Sequence, residues 1–326
     1  MTPNFYRYFN SAVKYAVHFD IMDDHIFDSE SNKILLKKPP KSVIVADAMF
    51  IDTAYLLNIK KMIKSVKGVF WADVVLKNYP IYKKYVDGEI LNVGGDGITN
   101  YENILNINPD IVILIDWNIF NPLSKWLRNK NINYAKTGNY KEPSFLGKIE
   151  WIKFYASIFG KFKKAEKIFN KIVEEKKRIF NSLNKVRYKP VVAFFGYHKN
   201  RAYVYGKDHY IPHLINDLKG NYLFENVEGI CYQPIDRREF INKARYADVC
   251  ILDSMGEEID TKKLLKENPE FLKFKAYKTG HFYITSSDYL KHETLNSIEV
   301  LEEYAKLLHP KIYKTEDLKH FIKLTK

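Results

Sequence analysis

The chain contains one structural pattern twice: a short amphipathic helix, an aspartate, a buried apolar strand and a polar strand end. The first copy is NYENILNINPDIVILIDW, residues 100–117, and the second is RREFINKARYADVCILDS, residues 237–254. A short apolar strand that follows a helix is typical of a parallel sheet, whose strands are buried on both faces and connected by helices. The repetition therefore predicts two α/β units in one chain.

The length of the chain agrees with two units. At 326 residues, with an apolar fraction of 46%, it exceeds a typical single domain and can bury two cores. Strands alternate with helices from VIVAD at residues 43–47 onward, and the alternation restarts at KPVVAFFGY, residues 189–197. We expect an α/β protein of two Rossmann-like lobes with parallel sheets, residues 1–147 and 187–326.

One long helix is predicted over residues 148–186, where it would join the two lobes. Apolar side chains recur there at helical spacing from Ile149 to Ile172. Such a helix is far longer than an ordinary domain helix. Gly160 interrupts the pattern, and we expect it to bend or break the helix near the first third.

The charge and the cysteines narrow the class of protein. The net charge of +13 comes from 52 basic and 39 acidic residues that are mixed along helices, without an arginine-rich arm or zinc-finger spacing. A solvated lysine-rich surface is therefore favoured over a nucleic-acid partner. Cys231 and Cys250 have no metal-ligand spacing, so no structural zinc is expected, and whether they pair is left open.

The chain has no apolar run near the ~20 residues that span a bilayer, and no leader is visible at its start. Whether a signal peptide or lipid anchor was removed is left open.

Strand ends supply the candidate ligand-binding residues of the first lobe. Trp71 and Trp117 follow predicted strands, and Asp96 lies in the glycine-rich turn NVGGDGITN. Ligands of open parallel sheets bind outside the carboxyl ends of the strands, where aromatic rings can stack on a flat chelate. Core packing is the alternative for the tryptophans. The turn lacks the Gly-Lys-Ser/Thr of a phosphate loop, and a tight turn with positive φ is its alternative.

The densest candidate in the second lobe is FFGYHKNRAYVYGKDHY, residues 194–210. Tyrosines and cations together suit an anionic, oxygen-rich ligand, while an exposed amphipathic hairpin is the alternative. Histidine and tyrosine could also ligate a metal directly. Tyr289 follows the last strand, in ITSSDYLKHET, where helix capping by Ser287 or Asp288 is the alternative. The ligand-binding candidates of this lobe are Tyr197, His198, Lys199, Arg201, Tyr205, Lys207, His209, Tyr210 and Tyr289.

A catalytic site is not expected. The chain has neither GxSxG nor HExxH, and two cysteines are too few for a metal-cluster enzyme. A two-lobed α/β enzyme, such as a glycosyltransferase, remains the alternative class.

The order of these patterns resembles that of the substrate-binding proteins of ABC importers, in the cluster with a single long interlobe helix. The resemblance covers about residues 40–310. It is carried by NYENILNINPDIVIL, by EWIKFYASIFGKFKKAEKIFNKI, by RAYVYGKDHYIPHLINDLKGNYLFEN, and by ADVCILDS together with FLKFKAYKTGHFYIT. Proteins of this cluster bind ferric siderophores, haem, cobalamin and related metal chelates.

The resemblance implies an extracytoplasmic monomer that binds a metal chelate between two lobes and delivers it to a membrane permease without a chemical step. The tyrosines and cations favour an iron(III)-siderophore-type complex. A cobamide, haem or a free oxyanion is the alternative ligand. Neither a resident cofactor nor a nucleic-acid partner is expected.

Overall fold

The computed structural model describes residues 12–22, 25–198, 201–313 and 318–325. The chain divides into two compact units. Unit 1 comprises Met1–Glu142 and Leu146–Asn170, and unit 2 comprises Pro143–Phe145 and Lys171–Lys326. Within the described ranges, no helix combines the length and apolar character that a membrane crossing requires.

Unit 1 is built from short strands and helices that alternate along the chain. The strands are β1 (Asp20–Met22), β2 (His25–Phe27), β3 (Val43–Val45), β4 (Val66–Val69), β5 (Leu91–Asn92), β6 (Gly94–Gly95), β7 (Ile98–Thr99), β8 (Ile111–Ile115) and β9 (Tyr134–Thr137). The helices are α1 (Met49–Leu56), α2 (Lys60–Ser65), α3 (Ala72–Val75), α4 (Tyr82–Val86), α5 (Tyr101–Ile107), α6 (Asn121–Asn129) and α7 (Phe145–Ile158).

The main sheet of unit 1 has five parallel strands in the order β5-β4-β3-β8-β9, as the sequence predicts. Its centre is the apolar core of the unit, where β3 and the first four residues of β8 are fully buried. At the amino end, the Asp110 carboxylate accepts the backbone N–H groups of Lys41 and Ser42 at 2.6 and 3.0 Å. Helix α5 begins at an Asn100 cap, whose side chain accepts from the Asn103 N–H. Because the five strands are parallel, all five of their carboxyl ends lie at one edge of the sheet.

Two buried carboxylates hold the first described residues against unit 1. Glu150 accepts backbone N–H groups from residues 14–16 at 2.6–3.1 Å. Glu142 accepts from Val17 and His18 at 2.8 and 3.1 Å, and from the Trp151 indole at 2.9 Å. Burial raises the pKa of Glu142 to about 7. This segment is therefore attached through its backbone, and we call residues 12–18 the backbone clasp.

The segment predicted as one long helix is two helices, α7 and α8 (Phe162–Ser182). Gly160 separates them with φ +64°. The Gly160 N–H donates to the Ser157 carbonyl, and the Lys161 N–H donates to the Ala156 carbonyl. These two bonds form a Schellman motif, which ends a helix at a left-handed glycine. The expected interruption at Gly160 is therefore a complete break.

Unit 2 contains the remaining strands and helices. Its strands are β10 (Val191–His198), β11 (Arg201–Tyr205), β12 (Asn221–Tyr222), β13 (Tyr232–Ile235), β14 (Val249–Asp253), β15 (Phe282–Thr285) and β16 (Phe321–Lys323). Its helices are α9 (Tyr210–Asp217), α10 (Arg237–Ala244), α11 (Thr261–Glu267), α12 (Lys275–Lys278), α13 (Tyr289–Leu295) and α14 (Ser297–Leu308).

The sheet of unit 2 has parallel strands at its centre, as predicted, and antiparallel strands toward both edges. The order is β13-β11-β10-β14-β15-β16, and β12 also pairs with β10. Strands β10, β12, β14 and β15 pair in parallel, whereas β11, β13 and β16 pair antiparallel. Strand β11 returns beside β10, with His198 opposite Arg201, because two residues are too few for a parallel crossover. Strand β16 pairs with β15 at the opposite edge.

Candidate functional site

Three aromatic side chains meet at the carboxyl edge of the unit 1 sheet. Trp71 follows β4, Trp117 follows β8 and Tyr140 follows β9. The rings of Trp71 and Trp117 lie 6.3 Å apart, and those of Trp117 and Tyr140 lie 6.0 Å apart. Trp117 is 40% exposed, although large apolar side chains are usually covered. We call these three residues the aromatic edge. The neighbouring rings meet edge to face, at interplanar angles of 70° and 73°, so a flat or macrocyclic molecule can stack on one of these rings at a time.

The turn that follows β5 holds Trp71 in place. The Trp71 indole N–H donates to Asp96 at 3.0 Å, and its backbone N–H donates to the Gly94 carbonyl at 2.8 Å. Gly95 lies directly against the indole, since a Cβ there would be 2.6 Å from Trp71 Cδ1. Trp71 itself has φ 51° and packs partly against the core. Both the turn and the core-packing interpretations therefore apply, and the structure brings Trp71, Asp96 and Trp117 together.

Charged groups line the Tyr140 end of the aromatic edge. Lys141 pairs with Asp116, and Lys136 lies 3.6 Å from the same carboxylate. The Tyr140 hydroxyl donates to the Asp116 carbonyl at 2.6 Å. Burial, together with the positive charge of Lys141, lowers the pKa of His18. Sequence reasoning missed Tyr140 and Lys141, although the strand-end rule applied to Trp117 would have found them after β9.

Unit 2 has a cavity of about 1190 Å³ at the carboxyl ends of β10 and β14. Of the predicted residues, Tyr197 and His198 line it. The Tyr197 hydroxyl accepts from the Arg237 guanidinium at 2.8 Å, and Arg237 also pairs with Glu270. The sequence analysis did not select Arg237 because it begins a helix rather than following a strand.

Asp253 forms the floor of this cavity. Its carboxylate accepts hydrogen bonds from the hydroxyls of Tyr232 at 2.5 Å and Thr285 at 3.2 Å, and from the Met255 N–H at 2.9 Å. Burial raises the pKa of Asp253. Met255, with φ 54°, lies beside it on the cavity lining. Asp253 lies at the end of its strand, and this strand end lines the cavity. Its partner Tyr232 comes from a strand that the sequence did not predict.

Several predicted residues are part of the unit 2 interior. The Tyr210 and Tyr289 hydroxyls both donate to the buried Glu293 carboxylate. The buried His209 caps α9, where its Nδ1 accepts from the Ile211 N–H. The ring of Tyr205 stacks between His209 at 3.9 Å and another tyrosine at 4.1 Å. Because these polar atoms are occupied within the fold, we leave the four predicted residues out of the proposed site.

The predicted cations are not gathered at the cavity. Lys207 pairs with Glu228 at 2.6 Å, and Arg201 is exposed at the start of β11. Lys199 lies outside the described residues. The cavity lining instead carries more carboxylates than cations: Asp253, Glu257, Glu258, Asp260 and Glu267 against Arg237 and Lys263. The two cysteines do not form a disulfide in the structure, where Cys231 is exposed and Cys250 is buried.

The fold and the strand-end positions of these surfaces define the class of protein as a two-lobed α/β binding protein. The periplasmic binding protein family matches residues 60–289, and the chain belongs to that family. The family consists of binding proteins, which confirms the prediction of a binder rather than an enzyme.

Two relatives come from Methanocaldococcus jannaschii. The uncharacterized protein MJ0642 is 66% identical over 329 residues, which cover 99% of each chain. The uncharacterized lipoprotein MJ0872 is 34% identical over 257 residues, which cover 77% of this chain and 66% of that protein.

Solved structures show the same fold. A periplasmic heme binding protein from Pseudomonas aeruginosa has a TM-score of 0.66 at 15% identity, covering 88% of this chain and 99% of that one. A possible iron-binding periplasmic solute-binding protein from Staphylococcus epidermidis has a TM-score of 0.62 at 19% identity, covering 83% and 100%. At these identities the likeness is one of fold, and it confirms the predicted two-lobed α/β class.

Proposed function

We propose that the protein is the extracytoplasmic substrate-binding component of an ABC importer and that its substrate is a metal chelate. The aromatic edge is the observation that most directly supports a metal chelate as the class of ligand. Trp71, Trp117 and Tyr140 present adjoining ring surfaces at the strand ends, where α/β sheets bind ligands. The names of the structural neighbours, which include haem and iron binders, support the same class.

An iron(III) chelate is the first ligand to test. Tyr197, His198 and Arg237 on the unit 2 cavity can donate to the oxygens of such a complex. A tetrapyrrole or corrinoid is the second candidate, because the aromatic edge offers stacking while Arg201 and Lys207 are not gathered at the cavity. The two classes differ in charge, so they differ in how binding responds to salt.

The family supports the proposed location and partner. Capture outside the membrane and transfer to a permease are what periplasmic binding proteins of this fold do in importers, and one relative is named a lipoprotein. Reconstitution of ligand transfer with a candidate permease in vesicles would test the partnership.

Tryptophan emission is the direct test of the ligand class. All four tryptophans lie in unit 1, at positions 71, 117, 126 and 151. A ferric tris-catecholate, haemin and cobinamide are titrated separately into the protein at low and high salt. We expect saturable quenching at one equivalent by one of these probes. Saturable quenching by the catecholate alone supports the iron chelate, and saturable quenching by haemin or cobinamide alone supports the second candidate.

Single substitutions locate the response. Trp71→Phe and Trp117→Phe should each remove part of the quenching and weaken binding by about two- to twelvefold, the range of one aromatic contact. Trp126→Phe is the matched control, because Trp126 packs on Tyr101 and the core. Quenching that persists unchanged in both the Trp71→Phe and the Trp117→Phe variants contradicts the proposal. Enzymatic conversion of an added probe by the protein also contradicts it.

A further inference from the structure

A second group of metal-ligating side chains lies in unit 2, on residues that do not line the cavity described above. Glu299 and Glu303 are one turn apart on α14, so they share a helix face. His320 lies immediately before β16. One ligand atom from each of the three side chains lies within 4.8 Å of the others. Residues of this type at this spacing can share one metal ion.

The backbone around this group is fixed by its own hydrogen bonds. The N–H groups of Lys319 and His320 donate to Glu303 at 2.8 and 3.0 Å. The His320 carbonyl accepts from the Ser286 N–H at 2.9 Å. Glu303 and His320 are both buried. The protein therefore positions these donors before any ion arrives, as a binding site requires.

A neighbouring histidine packs beside this group. The His292 ring lies 4.5 Å from the His320 ring, centroid to centroid. Its Nε2 pairs with Asp288 Oδ2 at 2.8 Å. His292 is not among the residues whose ligand atoms meet within 4.8 Å, so we treat it as a neighbour of the site and not as a ligand.

The charge at this group also suits a divalent cation. Glu299, Glu303 and Asp288 are formally negative, and Lys319 supplies one positive charge by pairing with Glu299 Oε1. The second oxygen, Glu299 Oε2, faces His320 Nε2 at 3.3 Å. A cation bound at Oε2 can therefore leave the lysine in place.

We propose that Glu299, Glu303 and His320 form a binding site for one divalent transition-metal ion within unit 2. Two carboxylate oxygens and one imidazole nitrogen match the mixed donors that Zn²⁺ and Co²⁺ accept, whereas Ca²⁺ and Mg²⁺ prefer oxygen alone. None of these three residues belongs to the proposed chelate-binding surfaces, and the test uses a metal ion alone.

The test is a Co²⁺ titration of untagged, chelator-treated protein, followed by visible absorption. We expect one equivalent to saturate the signal and Zn²⁺ to displace it. Glu299→Gln and His320→Gln should each weaken Co²⁺ binding at least about a hundredfold. His213→Gln, on an exposed position of α9, is the matched control and should leave binding unchanged.

Circular dichroism checks that each variant is folded. Glu299→Gln is the decisive variant, because Glu299 contacts side chains while Glu303 holds the backbone. Absence of saturable Co²⁺ binding by the wild-type protein overturns the proposal. Binding that survives in folded Glu299→Gln and His320→Gln proteins overturns it equally.

Discussion

Replacing Glu150 by alanine should be among the most costly single changes in unit 1. Glu150 is fully buried and pairs with the equally buried Lys153 at 2.8 Å. It also accepts the backbone N–H groups of Lys14, Tyr15 and Ala16. Glu150→Ala leaves the lysine without its counterion and three amides without an acceptor. Breaking a buried pair in this way costs about 3–5 kcal/mol.

Two further variants separate the charge from the clasp. Lys153→Met removes the cation but leaves the carboxylate bound to three amides, so it should cost less, about 1–3 kcal/mol. The double variant Glu150→Ala/Lys153→Met should be destabilised by less than the sum of the two single effects, by about 0.5–3 kcal/mol. This coupling is expected because each single change leaves the other buried group unpaired.

Urea unfolding followed by tryptophan emission measures these effects. Because all four tryptophans lie in unit 1, the signal reports on that unit even where the two units unfold separately. Trypsin cleavage near Lys14 gives a second measure of release of the backbone clasp. A Glu150→Ala protein with wild-type stability, or a strictly additive double variant, would refute the reasoning.

Three other predictions follow from the structure. Gly160→Ala should destabilise the protein by about 1–2 kcal/mol through its positive φ alone, since no atom lies within 4 Å of the added Cβ. Gly160→Asn should lower the free energy of unfolding by less, because asparagine tolerates positive φ, and thermal unfolding measures both effects. The raised pKa of Glu142 means that its carboxylate is unfavourable in the folded state above pH 7. Wild type should therefore gain about 3 kcal/mol over Glu142→Gln as pH falls from 8 to 4.5, which urea titrations at each pH would show. Gly95→Ala should displace the Trp71 indole, so the change in emission should disappear when Trp71→Phe is added; an unchanged wild-type spectrum contradicts the contact.

The strand-end residues could be predicted because they follow from local pattern. An apolar run bounded by polar residues predicts a strand, and topology then places the next side chain at the ligand edge, as for Trp71 and Trp117. Tyr140 obeys the same rule, but the short strand before it, Tyr134–Thr137, contains a lysine and has a weaker apolar pattern. Its place beside Trp117 appears only when β9 pairs with β8.

The segment 194–210 shows why a dense run of candidate residues does not by itself predict a shared binding site. Its tyrosines and cations are adjacent along the chain, but a hairpin followed by a helix sends neighbouring side chains in different directions. Tyr210 points to Glu293, a residue 83 positions later, and no local feature announces that partner. The sequence predicted an interruption at Gly160. It could not decide between a bend and a break, because a glycine within a helical pattern can bend a helix or end it.

The hydrogen bonds of the backbone clasp use amide groups, which every residue except proline supplies. Glu142 and Glu150 bind the N–H groups of residues 14–18 whatever side chains those residues carry. The exposed side chains of the segment can therefore change while both acids stay fixed, although Val13 and Ala16 are also buried. Proline is the exception, because it has no N–H to offer. A relative with an unrecognisable start can thus retain the same attachment, and the two glutamates are the positions by which to trace it.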